Sequence, residues 1–178
     1  RISTTIFLSE GICHLSFWQI PVNPKCVIEI GIANAIHSAA GIEMREECSQ
    51  YMDRRRAQYG KDYEEPNGQA LLTAGYNLPA EHVIHTVGPI VYGKLTEDLK
   101  EDLRNCYKNV LKCCVEHGIR FVAFCCISTG EFHFPNDEAA RIAVEEVRKF
   151  LEKHEENFDR ILFNVFKDVD RALYQELV

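Results

Sequence analysis

Short apolar runs alternate with amphipathic stretches along the chain, and this order restricts the fold more than any other sequence feature. Several runs are apolar at successive positions rather than at every second position, which is typical of strands covered on both faces. The second half reads strand, helix, strand, helix, strand, so the pattern predicts a three-layer α/β fold with a largely parallel sheet. The predicted strands are 15–19, 26–30, 70–76, 82–87, 120–127 and 160–166.

Three amphipathic helices are predicted between the strands. The first follows Asn34, the second has Thr96 as its N-cap and Gly118 just beyond its end, and the third is opened by Asn136. Residues 53–68 mix charges with glycine and proline and are predicted to be an exposed loop. The apolar stripes that carry the helix predictions are Ile36, Ala40, Met44 and Cys48; Leu99, Leu103, Cys106, Tyr107, Val110, Leu111 and Cys114; and Ala140, Ala143, Val144, Val147, Phe150 and Leu151.

Length and charge narrow the class of protein. The 178 residues suit one domain spanning 1–178, for which we expect a monomer. A net charge of −7 argues against non-specific nucleic-acid binding, and no apolar run is long enough to cross a membrane.

The eight cysteines include two adjacent pairs on apolar segments, which is unlike a disulfide framework. Reduced thiols in the cytoplasm or nucleus are therefore expected.

The segment after the fifth predicted strand is the best candidate for chemistry. The run 120–127 leads directly into Ser128, Thr129 and Gly130, and the next helix begins a few residues later. Backbone amides in such a loop can point at a phosphate, and Gly130 allows the ligand to come close. Phe132 could then lie against a sugar or a base. The alternative is a tight connection in which Phe132 and Phe134 are buried in the core.

Four stretches of the chain resemble the macro domain family, and they occur along the chain in the same order as in that family. They are 126–135, which is similar to its diphosphate loop; 31–41, similar to its first pocket helix; 76–79 with 82–89, similar to its central strand; and 160–166, similar to its last strand. The resemblance covers 31–178 and implies a three-layer α/β/α fold with a mixed, largely parallel central sheet. Within the family, 131–135 and 45–48 are most similar to the zinc-containing branch, whose members remove mono-ADP-ribose from proteins.

The resemblance implies a cleft for ADP-ribose, either free or attached to a protein. The diphosphate would lie on the loop and on the amides at the start of the first helix, the distal ribose near Phe132, and the adenine toward Phe166. The implied ligand-binding residues are Ser128, Thr129, Gly130, Glu131, Phe132, Ile32, Ala33, Asn34 and Phe166.

The first thirty residues depart from the family at functional positions. The Gly-Asp expected in 17–20 is missing, the Asn-Ala-Ala-Asn expected after Ile28 is absent, and Ala33 stands where the family has an aspartate. Two explanations stay open: the protein has lost its catalytic segment, or loop residues of the natural chain are missing from this sequence. We assign no catalytic residue, because Ala33 counts against hydrolysis in both cases.

A metal site is not predicted from the residues. The zinc-containing branch has Cys, His and Cys before the first helix, where this chain offers Glu29 and Gly31. The nearest alternatives lie on different predicted elements without the close spacing of zinc ligands, so buried thiols and a helix-face histidine are the simpler interpretation. Zinc is implied only by the resemblance. The alternatives are Cys13, His14, Cys26 and His37.

Two further histidines have structural interpretations. His85 is interpreted as a hydrogen-bonded core histidine, and His133 as a loop residue that contacts either ligand or solvent.

Three functions are compatible with the sequence. The leading hypothesis is a binder of ADP-ribose, the second an active mono-ADP-ribosyl hydrolase, and the third a paralogue with a closed pocket that binds other proteins. A Rossmann-type dehydrogenase is disfavoured, since no Gly-x-Gly-x-x-Gly follows the first strand.

Overall fold

The computed structural model describes residues 2–3 and 32–178, with side chains described from Asn34 onward. Five helices and five strands are present in this part of the chain, together with a short 3-10 turn at Glu155–Asn157. In chain order they are β1 (Ile2–Ser3), α1 (Ile32–Ala40), α2 (Ile42–Tyr59), β2 (Ala70–Ala74), β3 (His82–Thr86), α3 (Glu97–Glu116), β4 (Phe121–Phe124), α4 (Asn136–His154), β5 (Arg160–Phe163) and α5 (Asp168–Leu177).

The described strands pair in both parallel and antiparallel ways. β5 lies between β1 and β4 and is parallel to both, with Val122 beside Ile161 in the β4–β5 register. β2 and β3 form an antiparallel hairpin in which Leu72 faces Ile84. The described strands thus form one parallel and one antiparallel sheet, flanked by helices, which is consistent with the expected three-layer α/β fold.

One large apolar core joins α3, α4 and α5 to β4 and β5. Leu103, Tyr107 and Leu111 on α3 are fully buried, and Ile161 and Phe163 on β5 are almost so. Burying each such side chain contributes roughly 1.5–3 kcal/mol relative to exposure, so these stripes hold the helices on the sheet. A second, smaller cluster contains Ala40, Met44 and Cys48, against which Ile36, Leu71, Leu78 and Val83 pack.

The predicted ends of α3 are confirmed, whereas the predicted cap of α4 is wrong. The Thr96 hydroxyl accepts a hydrogen bond from the Leu99 amide at 3.3 Å, and Gly118 follows the helix with a φ of 68°. Asn136, predicted as a cap, is the first residue of α4 and follows Pro135. Its side-chain amide instead donates to Asp170 at 2.5 Å, because that buried carboxylate on α5 lies within reach.

The first predicted helix is interrupted, and it is longer than expected. Gly41 has a φ of 100° and separates α1 from α2, a conformation that glycine adopts without strain. The prediction of an exposed loop from residue 53 is wrong for residues 53–59, which continue α2. The Arg55 guanidinium lies over the Tyr59 ring at 4.6 Å and the Tyr63 ring at 5.1 Å, and these contacts stabilise the last turns.

The later strands are confirmed with shorter bounds, and β4 stops at Phe124, so residues 125–127 belong to the following loop. The strands predicted at 15–19 and 26–30 lie outside the described residues. Within the described ranges, every helix is too short or too polar to pass through a lipid bilayer.

Candidate functional site

The loop between β4 and α4 is closed by hydrogen bonds between its own backbone groups. The Phe134 amide donates to the Ser128 carbonyl at 3.0 Å, and the His133 amide donates to the Gly130 carbonyl at 3.1 Å. Ser128 and His133 have φ angles of 64° and 55°, which are unusual for residues with a side chain. The loop is therefore held in one compact turn directly before the first turn of α4.

The side chains of this loop face the interior, while its tip faces solvent. Ser128, Thr129 and Phe132 are buried, and the Thr129 hydroxyl donates to the Cys126 carbonyl at 3.2 Å. Phe134 is also buried, so the alternative interpretation of both phenylalanines as core residues describes their side chains correctly. Gly130 and Glu131 are exposed. A Cβ atom at Gly130 would meet nothing within 4 Å, which leaves open space at the tip.

Four successive amides of the loop have no backbone partner. Among the residues that the structure describes, the N–H groups of Thr129, Gly130, Glu131 and Phe132 donate to no carbonyl. Backbone donors are almost always satisfied when buried, so these four amides, two of them on the exposed residues Gly130 and Glu131, can take an external acceptor. The position just before a helix start adds the positive end of the helix dipole, which favours an anion.

The end of β5 lies beside this loop. The Lys167 ammonium donates to the Thr129 carbonyl at 3.2 Å, and the Asn164 amide donates to the Phe124 carbonyl at 2.7 Å. Phe166 is 72% exposed and stands next to Lys167 in the chain. The structure therefore brings the predicted adenine end and the predicted diphosphate loop together. Lys167 was not predicted from the sequence. Its position directly after Phe166, which was predicted to lie near the adenine, is the sequence feature that could have indicated it.

The residues predicted at the first helix lie in the first turn of α1. Ile32 and Ala33 are described by their backbone only, and Asn34 is partly buried. α1 packs against α2, and its last carbonyl, that of Ala40, accepts from the Asn77 amide at 3.2 Å. Asn34 and the loop share no hydrogen bond in the described part of the chain, so the predicted joint contact of both with a diphosphate stays a prediction.

A profile of the Macro domain family matches residues 21–143. The ADP-ribose glycohydrolase MACROD2 of Homo sapiens is 46% identical over 146 residues, which cover 82% of this chain and 32% of that protein. The protein-ADP-ribose hydrolase of Treponema medium is 42% identical over 147 residues, covering 83% of this chain and 54% of that protein. The chain belongs to the macro domain family.

Solved macro domains have the same fold. The Oceanobacillus iheyensis macrodomain with MES bound superimposes with a TM-score of 0.73 at 34% identity, covering 82% of this chain and 74% of that one. A mutant of the same macrodomain with ADPR gives a TM-score of 0.73 at 33% identity, covering 83% and 75%. This macro domain spans about half or less of the curated relatives it matches.

A separate cavity of about 580 Å³ lies between α1, α2, the β2–β3 hairpin and β4. Most of its lining is apolar, and among the described residues neither the loop 128–132 nor Phe166 contributes to it. Its polar lining includes His37, Cys48 and His85, which lie close to one another. The sequence did not predict this grouping.

His85 is hydrogen-bonded as predicted, but it is half-buried on β3 rather than a fully buried core residue. Its Nε2 atom lies 2.9 Å from the Thr73 hydroxyl, and burial lowers its pKa to about 4. His37 is 2% exposed, and burial together with the charge of Arg45 lowers its pKa. Both imidazoles are therefore neutral near pH 7.

The remaining predicted residues divide into two groups. His133 is exposed on the loop, as is Glu131, the carboxylate beside the free amides. The alternatives for a metal before α1, Cys13, His14 and Cys26, lie outside the described residues, together with Glu29 and Gly31. Membership of the zinc-containing branch thus stays a prediction.

Proposed function

We propose that this macro domain binds ADP-ribose, either free or attached to a protein, with the diphosphate on the amides of Thr129 to Phe132. The observation that carries the proposal is this row of four amides without a backbone acceptor at an exposed tip. The names of the relatives support it, since they are called ADP-ribose glycohydrolase and protein-ADP-ribose hydrolase. A related macrodomain solved with ADPR supports it further.

Binding through amides suits an acidic chain. With a net charge of −7, the protein offers a phosphate no broad positive surface. Amide dipoles attract an anion without a net charge of their own, and Lys167 adds one cation beside the loop. Phe166, 72% exposed and next to Lys167 in the chain, offers an aromatic face on which adenine can stack.

Calorimetry with ADP-ribose tests the proposal. We expect wild-type protein to bind one equivalent, and Gly130→Glu to lose binding because a carboxylate would stand where the diphosphate lies. Gly130→Ala is the matched control for folding, since its Cβ meets no protein atom within 4 Å, and it should lose less affinity than Gly130→Glu because it adds no charge. An absence of heat from the wild-type protein, or equal affinities of wild type and Gly130→Glu, would reject the site.

A second candidate function is hydrolysis of the bond between ADP-ribose and a protein. It is favoured by the names of relatives that are 42–46% identical to this chain. Ala33 opposes it, because the resemblance implies an aspartate there and a water that attacks needs activation. Incubation with a mono-ADP-ribosylated protein separates the two: retained label indicates a binder, and label lost at catalytic enzyme concentration indicates a hydrolase.

A further inference from the structure

Three side chains with metal-ligating atoms meet between α1, α2 and β3. His37, Cys48 and His85 each offer one nitrogen or sulfur atom, and these atoms lie within 4.8 Å of one another. The Cys48 Sγ atom lies 4.0 Å from Nε2 of His85, and the two imidazole rings are 5.4 Å apart between centroids. The three residues come from three different elements, so their convergence is a property of the packed structure.

His37 gives an independent indication that something is bound here. The residue is 2% exposed, yet neither Nδ1 nor Nε2 has a hydrogen-bond partner among the described residues. Leaving a buried polar group without a partner destabilises the folded state. A cation held by one of these nitrogens would give that nitrogen a partner.

The surroundings match the chemistry of a soft divalent cation. Both imidazoles are neutral near pH 7, which is the form that binds a metal. The carboxylate of Glu47, which accepts from the Tyr76 hydroxyl at 2.8 Å, acts electrostatically on His85 and favours positive charge there. Two imidazoles and a thiolate are a ligand set that zinc accepts, with a fourth position open to water.

We propose that His37, Cys48 and His85 form a binding site for a single zinc-type divalent cation. The site lies on the cavity side of α1 and α2, and it differs from the Cys, His, Cys ligands that the zinc-containing branch has before the first helix. Binding replaces the Cys48 thiol proton, which is released to solvent, by a metal–sulfur bond. The proposal is independent of ADP-ribose binding.

The distances require a small closure. Zinc bonds of about 2.0 Å to nitrogen and about 2.3 Å to sulfur place two ligand atoms roughly 3.5 Å apart. The Cys48 Sγ and His85 Nε2 atoms are 4.0 Å apart and all three ligand atoms lie within 4.8 Å of one another, so side-chain rotation must bring them closer by about 0.5–1.3 Å. The Thr73 hydroxyl, 2.9 Å from Nε2 of His85, would have to give up this bond when that nitrogen binds the metal.

Titration of metal-stripped protein with Co²⁺ tests the site. We expect one equivalent to bind with a thiolate-to-cobalt charge-transfer band, to be displaced by Zn²⁺, and to raise the melting temperature. Cys48→Ser and His37→Gln should each abolish the band and weaken binding at least about a hundredfold. The matched control is Cys113→Ser, a buried thiol 3.7 Å from Nδ1 of His117, and it should behave as wild type.

A second control separates this site from ligands before α1. The double variant Cys13→Ser, Cys26→Ser should keep the cobalt band. The proposal is overturned if wild-type protein takes up no stoichiometric cobalt, if Cys48→Ser and Cys113→Ser lose the band equally, or if only the double variant loses it. Should Cys48→Ser fail to fold, cadmium NMR of the wild-type protein tests the proposal instead. The proposed site requires couplings between the bound cadmium and the rings of two histidines.

Discussion

At the scale of the residue, the candidate site depends on backbone geometry more than on side-chain chemistry. Ser128 and His133 hold φ angles of 64° and 55°, which cost on the order of 1 kcal/mol each and which the Phe134–Ser128 hydrogen bond helps to offset. That geometry turns the side chains of Thr129 and Phe132 inward, and within the described part of the chain their amides donate to no backbone carbonyl. The residue types of the loop therefore act mainly by allowing one turn.

Lys167 is the exception, because its side chain reaches the loop. We expect Lys167→Met to weaken ADP-ribose binding by about tenfold, which corresponds to about 1.4 kcal/mol, because the cation beside the diphosphate is lost. The effect should shrink at high salt, since Lys167 is exposed. Calorimetry at two ionic strengths measures it. Lys149→Met, which removes an exposed cation from α4, is the control, and equal losses in both variants would contradict a local role.

At the scale of the element, α2 is held at its end by an aromatic cluster around Arg55. The Arg55 guanidinium donates to the Tyr63 hydroxyl at 2.7 Å and lies 3.7 Å from the Glu65 carboxylate. The Tyr59 and Tyr63 rings stack at 5.2 Å between centroids. This cluster joins the last turns of α2 to the loop that follows. Residues 53–59, whose charges suggested a loop, are therefore helical.

Removal of that cation should destabilise the protein. We expect Arg55→Ala to lower the free energy of unfolding, through lost cation–π contacts and hydrogen bonds. Arg54→Ala, at the exposed neighbouring position on the same helix, should change it by less than about 0.5 kcal/mol. Urea denaturation of both variants provides the measurement. If the two variants unfold at the same midpoint, the cluster does not stabilise α2.

At the scale of the whole molecule, stability depends on two neutral histidines, of which His37 is buried and His85 is half-buried. The pKa of His85 falls from its ordinary 6.5 to about 4 through burial first, then through His37, with Glu47 acting in the opposite direction. The pKa of His37 is also lowered, by burial first and then by the charge of Arg45. Between pH 6.5 and 4 the unfolded chain therefore binds protons that the folded chain does not.

The sign of the pH dependence follows from that difference. The stability from neutral His85 is fully present above about pH 6.5 and is lost as the pH falls toward about 4, by up to roughly 3 kcal/mol. We expect the free energy of unfolding of wild-type protein to fall more steeply over this range than that of His85→Gln, as measured by urea denaturation at each pH. Parallel profiles would show that His85 is not buried in its neutral form.

Elements whose signal is local were predictable, and contacts between distant residues were not. The stripes of α3 and α4, the cap at Thr96 and the strands of the second half follow from periodicity and cap chemistry. The break at Gly41 and the end of α2 at Tyr59 were missed, because Gly41 adopts a φ of 100° and because the contacts of Arg55 with Tyr59 and Tyr63 outweigh a composition that suggested a loop. The partner of Asn136 was missed for the same reason, since Asp170 is 34 positions away.

The sequence by itself determined the α/β class, the helices α3 and α4, the strands of the second half and the candidate loop 128–132, because each depends on residues close together in the chain. Only the tertiary structure decided that Lys167 reaches Thr129 and that His37, Cys48 and His85 lie close together. The physical reason is that burial and packing, rather than local propensity, select which distant side chains meet. Those meetings determine the pKa of His85 and the proposed cation site.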